Sequence, residues 1–337
     1  MSAPRVGFLG TGWIGRHRMK ALVDSGAIEA AAICDPSSEC AAEAARLAPG
    51  AAVLPSLGAM LDHGLDGLVI ATPSAFHCEQ ATAALKRGVA VFCQKPLGRN
   101  AAETSAAVEA ARTADRLLGV DLSYRHTRAT QAIAGLIRGG ELGDIFAVDL
   151  AFHNAYGPDK PWFYDRARSG GGCLIDLGVH LVDLALWLLG FPGVDNVTSR
   201  LFAGGQPLSA SSTEVEDYAV GRLDLATGAT VRLGCSWRLH AGQDAIIEAS
   251  FYGARGAVSI RNLGGSFYDF EARLTRATSS ELLAQPPDEW GGRAAVDWAR
   301  RLAENSGFDE TAANFVSVSE VLDRLYAAET TGAVFDG

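Results

Sequence analysis

Asp176, His180 and Asp183 stand inside a stretch, residues 169–190 (SGGGCLIDLGVHLVDLALWLLG), that is otherwise mostly glycine and apolar side chains. Leu181, Val182, Leu184, Leu186, Trp187, Leu188 and Leu189 surround most of a helix's circumference, which marks a buried helix. At 100° per residue the three ionisable residues fall within an arc of about 60°, so the spacing predicts that they line one face. An ionisable group in apolar surroundings costs several kcal/mol unless it is paired or opens on a cavity. Two readings follow: a polar cleft that does proton chemistry, or a mutually satisfied Asp–His pair that only locks the helix.

A second site of chemistry opens the chain. Residues 5–9 run apolar into Gly10-Thr11-Gly12-Trp13-Ile14-Gly15, and a helical pattern follows from Arg16 to Ser25. Between a strand and a helix, such glycines make a tight turn, let a pyrophosphate approach the backbone, and let helix and strand pack closely. Helix N–H groups then face the phosphates. A second strand, residues 28–34, ends at Asp35, about 20 residues past the last glycine, as a dinucleotide fingerprint expects. A carboxylate there accepts ribose hydroxyls and repels a 2′-phosphate. No Lys or Arg lies between Asp35 and Arg46, so the expected cofactor is NAD rather than NADP. The alternatives are an ordinary βα turn for the glycines and a helix N-cap for Asp35.

These residues need elements to position them. Further strands are expected at 52–54, 67–71, 89–93 and 117–121, and helices at 56–63, 76–87 and 101–115. Strands alternating with helices imply a parallel, doubly wound sheet with ligand at the strand C-termini. Two of those ends carry Thr72-Pro73-Ser74 with His77, and Gln94-Lys95-Pro96. The Lys95–Pro96 bond is a candidate for the cis form. After Asp121 the pattern changes to a helix near 130–138, a strand at 145–153, an aromatic and charged loop at 156–168, and the Asp176/His180 helix. Strands follow at 194–202, 215–225, 230–239, 245–252, 257–262 and 266–272, then helices at 288–305 and 311–331. The fold class expected is an α/β Rossmann domain, residues 1–122, and an α+β domain, residues 123–337, with a large, mostly antiparallel open sheet. One face of that sheet would carry the central helix and the other a second subunit.

The 337 residues exceed one small core, and 48% hydrophobic residues with 38 glycines fit a soluble α/β protein. The net charge of −10 argues against nucleic acid or an anionic membrane as partner. The six cysteines (34, 40, 78, 93, 173 and 235) form no C-x-x-C pair and no zinc spacing, so free thiols in a reducing compartment and no metal are expected. The N-terminus enters a strand almost at once, without a basic-then-apolar leader, and the apolar run 184–189 is too short to span a bilayer. A cytoplasmic protein is expected.

Four motifs in series resemble the Gfo/Idh/MocA family of nicotinamide-dependent oxidoreductases, the sugar and inositol dehydrogenase group: Gly10 to Gly15; Thr72-Pro73 with His77; Lys95-Pro96; and Gly170 to His180 with Asp183. The resemblance covers nearly the whole chain. It implies a catalytic lysine at Lys95 and the helix pair Asp176 and His180. It also puts Thr72, Pro73 and His77 in the cofactor shell, and, more loosely, Tyr124 and Arg125 at the substrate. The family usually carries Glu before the Lys-Pro; here it is Gln94, which takes a negative charge away from Lys95. Trp162, Phe163 and Tyr164 are candidates for stacking on a sugar ring, and His153, Asn154, Arg166 and His240 for polar lining.

The resemblance implies hydride transfer between NAD and a CH–OH group of a sugar, inositol or polyol. Histidine's ordinary pKa suits His180 to act as base. Lys95 would stabilise alkoxide charge, Asp176 would orient the substrate, and Asp183 would support from behind. Two alternatives stand beside this: a silent dinucleotide-binding sensor, and a reductase of a carbonyl or unsaturated ring. A homodimer or homotetramer is the family-level expectation.

Overall fold

Short apolar runs alternate with helical ones at the front of the chain, and the computed structural model, which describes residues 3–209 and 212–330, resolves them in that order. The elements are β1 (Arg5–Leu9), α1 (Trp13–Ser25), β2 (Glu29–Cys34), α2 (Ser38–Leu47), β3 (Ala52–Val53), α3 (Leu57–Leu61), β4 (Gly67–Ile70), α4 (Ser74–Lys86), β5 (Ala90–Cys93), α5 (Ala101–Ala114) and β6 (Leu118–Val120). The six strands pair in parallel in the order β3-β2-β1-β4-β5-β6. β4 and β5 are buried along their whole length, as strands of a parallel sheet covered on both faces must be. Ser37, Ser56 and Asn100 start α2, α3 and α5 by accepting from the backbone N–H three residues on. From β1 the chain winds one way to β2 and β3; from β4 it winds the other way to β5 and β6. The turns after β1 and β4 therefore flank the switch point where such sheets bind ligands.

A second sheet follows. Its elements are α6 (Arg128–Arg138), β7 (Ile145–Asn154), α7 (Arg166–Ser169), α8 (Val179–Leu188), β8 (Val194–Ala203), β9 (Gln206–Pro207), β10 (Tyr218–Leu225), β11 (Thr230–Ser236), β12 (Ala245–Gly253), β13 (Gly256–Asn262), β14 (Phe270–Arg276) and β15 (Ser279–Ala284). The strand order is β15-β14-β13-β12-β7-β11-β10-β8-β9, and every pairing is antiparallel except β7 with β11. Alternation sets the two faces. Val148, Leu150 and Phe152 of β7, with Val231, Leu233 and Cys235 of β11, are buried on the side where α6 and α8 pack. The opposite side exposes Val220 and Tyr252 and carries a two-pronged Arg232–Asp149 ion pair between neighbouring strands, each bond 2.7 Å.

The chain closes with α9 (Arg293–Glu304) and α10 (Ala313–Thr330). Two compact units result. One holds the residues up to Ser123 with Gly291–Val316; the other holds Tyr124–Trp290 with the residues from Ser317 on. A single division after residue 122 misses the return of α9. Its Ala294, Ala295, Trp298 and Leu302 join the core of Phe8, Val69 and Phe92, with Trp298 and Phe92 rings 5.7 Å apart.

Several element boundaries differ from the sequence reading. The strand expected at 266–272 begins at Phe270, because the Ser266 hydroxyl accepts from the N–H groups of Tyr268 and Asp269 and holds a turn there. β15 lacked a turn signal: Ala277, not glycine, takes the left-handed φ of 51° between β14 and β15. The helix expected from 288 starts at Arg293, and the end expected at Thr331 lies outside the described residues. The 156–168 loop contains a 3-10 turn, Pro161–Tyr164, and leads into α7. The helical stretch Arg166–Leu188 is long and apolar enough to cross a bilayer, but 89% of its apolar window is buried inside the molecule, as in a core helix. All six cysteines are free; Cys34, Cys93, Cys173 and Cys235 are buried.

Candidate active site

The Gly-rich turn is built by backbone clearance. Gly10 has φ +84°, and a Cβ there would lie 2.7 Å from the Ala71 carbonyl at the end of β4. A Cβ on Gly15 would overlap the Gly10 carbonyl, so helix and strand touch as the third glycine requires. Gly12 has nothing within 4 Å of its Cβ position, and no side chain caps α1. Space and uncapped N–H groups at a helix N-terminus suit a pyrophosphate. Asp35 stands beside this turn. Its Oδ2 accepts from Thr11 N at 2.6 Å, and its Oδ1 from Ser37 N at 2.8 Å. Ser37, not Asp35, is the N-cap of α2, which removes the capping alternative. Arg16 lies at the same turn but donates to Thr11 O at 2.7 Å and pairs with Glu43. Trp13 is 64% exposed and stacks on His17.

The ends of β4 and β5 are tied by His77, which is fully buried. Its Nδ1 lies 2.7 Å from Pro96 O and its Nε2 2.6 Å from Thr72 O. Two carbonyls at those distances call for two N–H donors, the imidazolium form. Burial pulls the other way and, with the charge of Lys95, holds the imidazole below the ordinary histidine range; the carbonyls oppose it. Lys95 is half-buried one residue before Pro96, and the Lys95–Pro96 bond is cis.

The second unit builds its site differently. Leu174–Gly178 is one turn of π-helix leading directly into α8. The regular 100° projection therefore fails at Asp176, and each of the three ionisable side chains meets a different partner. Asp176 Oδ2 accepts from Trp237 Nε1 at 3.1 Å. His180, 7% exposed, lies against the Tyr124 ring at 4.8 Å and Phe152 at 6.1 Å. Asp183 takes both prongs of the Arg125 guanidinium, one of them at 2.8 Å from Nε. Burial pushes the Asp183 carboxyl up and Arg125 pulls it back. Arg125 also lies over Trp187 and Phe191, so its charge is spent on the helix.

The π-turn is pinned at its start. The buried Glu216 carboxylate accepts from Gly172 N and Leu174 N, both at 2.9 Å, and from the Tyr326 hydroxyl at 2.7 Å. A Cβ on Gly172 would overlap Glu216 O, and one on Gly171 the Tyr326 hydroxyl. Trp162 and Phe163 stack 3.8 Å apart, and Phe163 and Tyr164 meet the Trp237 ring edge-on.

Residues 4–122 match the family described as "Oxidoreductase family, NAD-binding Rossmann fold", and residues 130–259 match its GFO/IDH/MocA C-terminal domain. The chain belongs to the Gfo/Idh/MocA oxidoreductase family. A putative UDP-kanosamine synthase oxidoreductase subunit of Amycolatopsis mediterranei is 30% identical across 96% of this chain and 95% of its own. An inositol 2-dehydrogenase of Rhizobium meliloti is 27% identical over 77% of this chain and 76% of its own. Among solved structures, GenD2 from gentamicin A biosynthesis, in complex with NAD, superposes with TM-score 0.82 and 25% identity, covering 99% of this chain and 96% of that one. Levoglucosan dehydrogenase with NADH and L-sorbose gives TM-score 0.83 at 20% identity over 98% of each chain, a likeness of fold.

Against this Gfo/Idh/MocA frame, the first unit gathers Gly10, Thr11, Gly12, Trp13, Ile14, Gly15 and Asp35 at one turn, and Thr72, Pro73, His77 and Lys95 at the next strand ends. The second unit gathers Asp176, His180 and Tyr124 around one helix, with Trp162 linked to Asp176 through Phe163 and Trp237. His153 points to the opposite sheet face from Phe152, bonds Ser236 Oγ at 2.8 Å and stacks on Tyr218. Arg166 lies over the Tyr326 ring. Sequence reasoning missed Trp237 and Glu216. Trp237 continues the odd-numbered buried series Val231, Leu233, Cys235, a signal that was readable. Glu216 falls inside the strand expected at 215–225, which begins only at Tyr218, and nothing in its acidic neighbourhood (Glu214, Asp217) marks it as buried.

Proposed function

We propose that this chain is an NAD-dependent dehydrogenase that oxidises a CH–OH group of a sugar, inositol or related polyol. The relatives include a D-glucoside 3-dehydrogenase of Escherichia coli and the inositol 2-dehydrogenase above. The observation that carries the reading is the construction around Asp176 and His180. A π-turn pinned by Glu216 and an indole N–H at 3.1 Å fix Asp176, while rings of Tyr124 and Phe152 hold the imidazole four residues on. Such effort is spent where side chains must be aimed.

Bound NAD supplies the hydride acceptor at its nicotinamide. His180 takes the hydroxyl proton, and returns it in the reverse direction. Lys95 donates a hydrogen bond to the same oxygen and stabilises the charge that develops there. Asp176 accepts from a neighbouring hydroxyl and orients the ring. Asp35 accepts ribose hydroxyls and favours NAD over NADP. The test is NADH formation, read by absorbance, across a polyol and glycoside panel. Lys95→Ala and His180→Ala each lower kcat by about two to four orders of magnitude while NAD still binds. Wild-type turnover in either removes its assigned role. Silence of the native chain across a broad panel, with NAD bound, favours the sensor reading.

A further inference from the structure

Asp121 is a buried charge that the chemistry above leaves unused. It stands one residue past β6, and its N–H donates to Cys93 O at 2.9 Å, which sets it beside Gln94, the residue before Lys95. Its side chain has no solvent exposure. Oδ2 accepts twice, from Arg18 Nε at 2.6 Å and from Gln94 Nε2, while Oδ1 has no partner among the described residues. Arg18 is 7% exposed and comes from α1, the helix that the Gly-rich turn opens. Its Nη1 lies 2.9 Å from His17 Nδ1. Arginine has only donors, so Nδ1 accepts and His17 is neutral there. Burial and Arg18 both lower the His17 pKa in agreement. A continuous polar tie thus runs from α1 to the residue in front of Lys95.

The charges in this tie fix what residue 94 can be. Arg18 and Asp121 cancel, and Gln94 and His17 are neutral. A carboxylate at 94 would face Asp121 at hydrogen-bond distance, and of two carboxylates so placed one is strongly driven to hold a proton. Gln94 donates to Asp121 as it stands, where Glu donates only once it has taken up a proton. Gln94 therefore serves a carboxylate at 121 without setting a second acid beside it.

We propose that Gln94 and Asp121 are a matched pair, and that Asp121, acting through Gln94, is a positioning residue for Lys95. The positioning half rests on the role given to Lys95 above.

The experiment is a double-mutant cycle on the full chain: Asp121→Asn, Gln94→Glu and the double variant, with Lys95→Ala beside them. Thermal midpoint, NAD Kd and kcat are read for each, kcat well below the lowest midpoint. Each single variant is expected to lower the midpoint and to cut kcat about tenfold or more with NAD Kd within about threefold, and the double to recover most of both losses. A double variant no better than the sum of the singles overturns the pairing. Singles that lose stability but keep wild-type kcat overturn the positioning role, since a purely structural tie does only that. Where a single fails to fold, a folded, active double supports the pairing and an unfolded double overturns it. Wild-type kcat in Lys95→Ala sinks the functional reading instead, and leaves recovery of the thermal midpoint to judge the pair alone.

Discussion

The two units reach a chemical site by opposite means. At the Gly-rich turn the determinants are clearances: Gly10 and Gly15 are glycines because a carbonyl stands where a Cβ would go, and Gly12 faces open space. On the Asp176 helix side chains are added to the clearances at Gly171 and Gly172: a buried carboxyl, an indole N–H and a wall of rings. A turn made by clearance fails as a unit when a methyl is added. A site made by side chains can lose one contact and keep its shape. The difference teaches which substitutions a site can absorb.

The largest expected effect comes from adding that methyl in each unit. Gly15→Ala drives a Cβ into the Gly10 carbonyl, and Gly172→Ala drives one into Glu216 O. Overpacking of this kind costs about 1–3 kcal/mol, and more where backbone cannot move. Gly15→Ala is expected to weaken NAD by about a hundredfold in an equilibrium titration, from the upper end of that range. Gly172→Ala is expected to leave NAD Kd near the native value and to cut kcat by a similar factor. Equal loss of NAD binding in both would break the comparison. A smaller effect is expected at Asp35. Asp35→Ala removes the acceptor beside Thr11 and is expected to weaken NAD and relax the exclusion of NADP; an unchanged ratio of the two Kd values would remove the ribose role.

Trp237→Phe sharpens the second half. The ring stays, and only the bond to Asp176 Oδ2 is lost. A hydrogen bond that aims a side chain is worth about 0.5–1.5 kcal/mol of stability, so a small fall in the thermal midpoint is expected with a kcat loss of about tenfold and NAD Kd nearly unchanged. Wild-type kcat would mean that the indole does not aim Asp176.

The same contrast governs what could be read without coordinates. Backbone rules leave marks in sequence, so Gly10, Gly12, Gly15, Asp35 and the βα alternation were legible, as was the antiparallel sheet. β15 was not, because Ala277 takes a turn conformation that usually announces itself with Gly or Asn. α9 was read as a helix but not as a return to the first unit, since nothing local says which sheet Trp298 will meet. The π-turn was invisible because periodicity reasoning assumes 3.6 residues per turn. Lys95 and His180 received roles through the family resemblance; spacing alone offered a locked Asp–His pair as readily as a cleft.

Glu216 carries the smallest expected effect and the most diagnostic sign. Burial pushes its carboxyl up against the pull of Tyr326, Leu174 N and Gly172 N. The folded chain therefore holds this proton to higher pH than the unfolded chain does. Between the unfolded value, about 4.3, and the raised folded one, the native state binds more protons, so this group's contribution falls as pH rises through that window. Most buried acids with an arginine partner behave in the opposite sense. Glu216→Gln removes the titration, so the midpoint of the variant relative to the native chain should climb as pH rises through the window and then level. A difference that is flat, or that falls, would mean that Glu216 is charged at little cost.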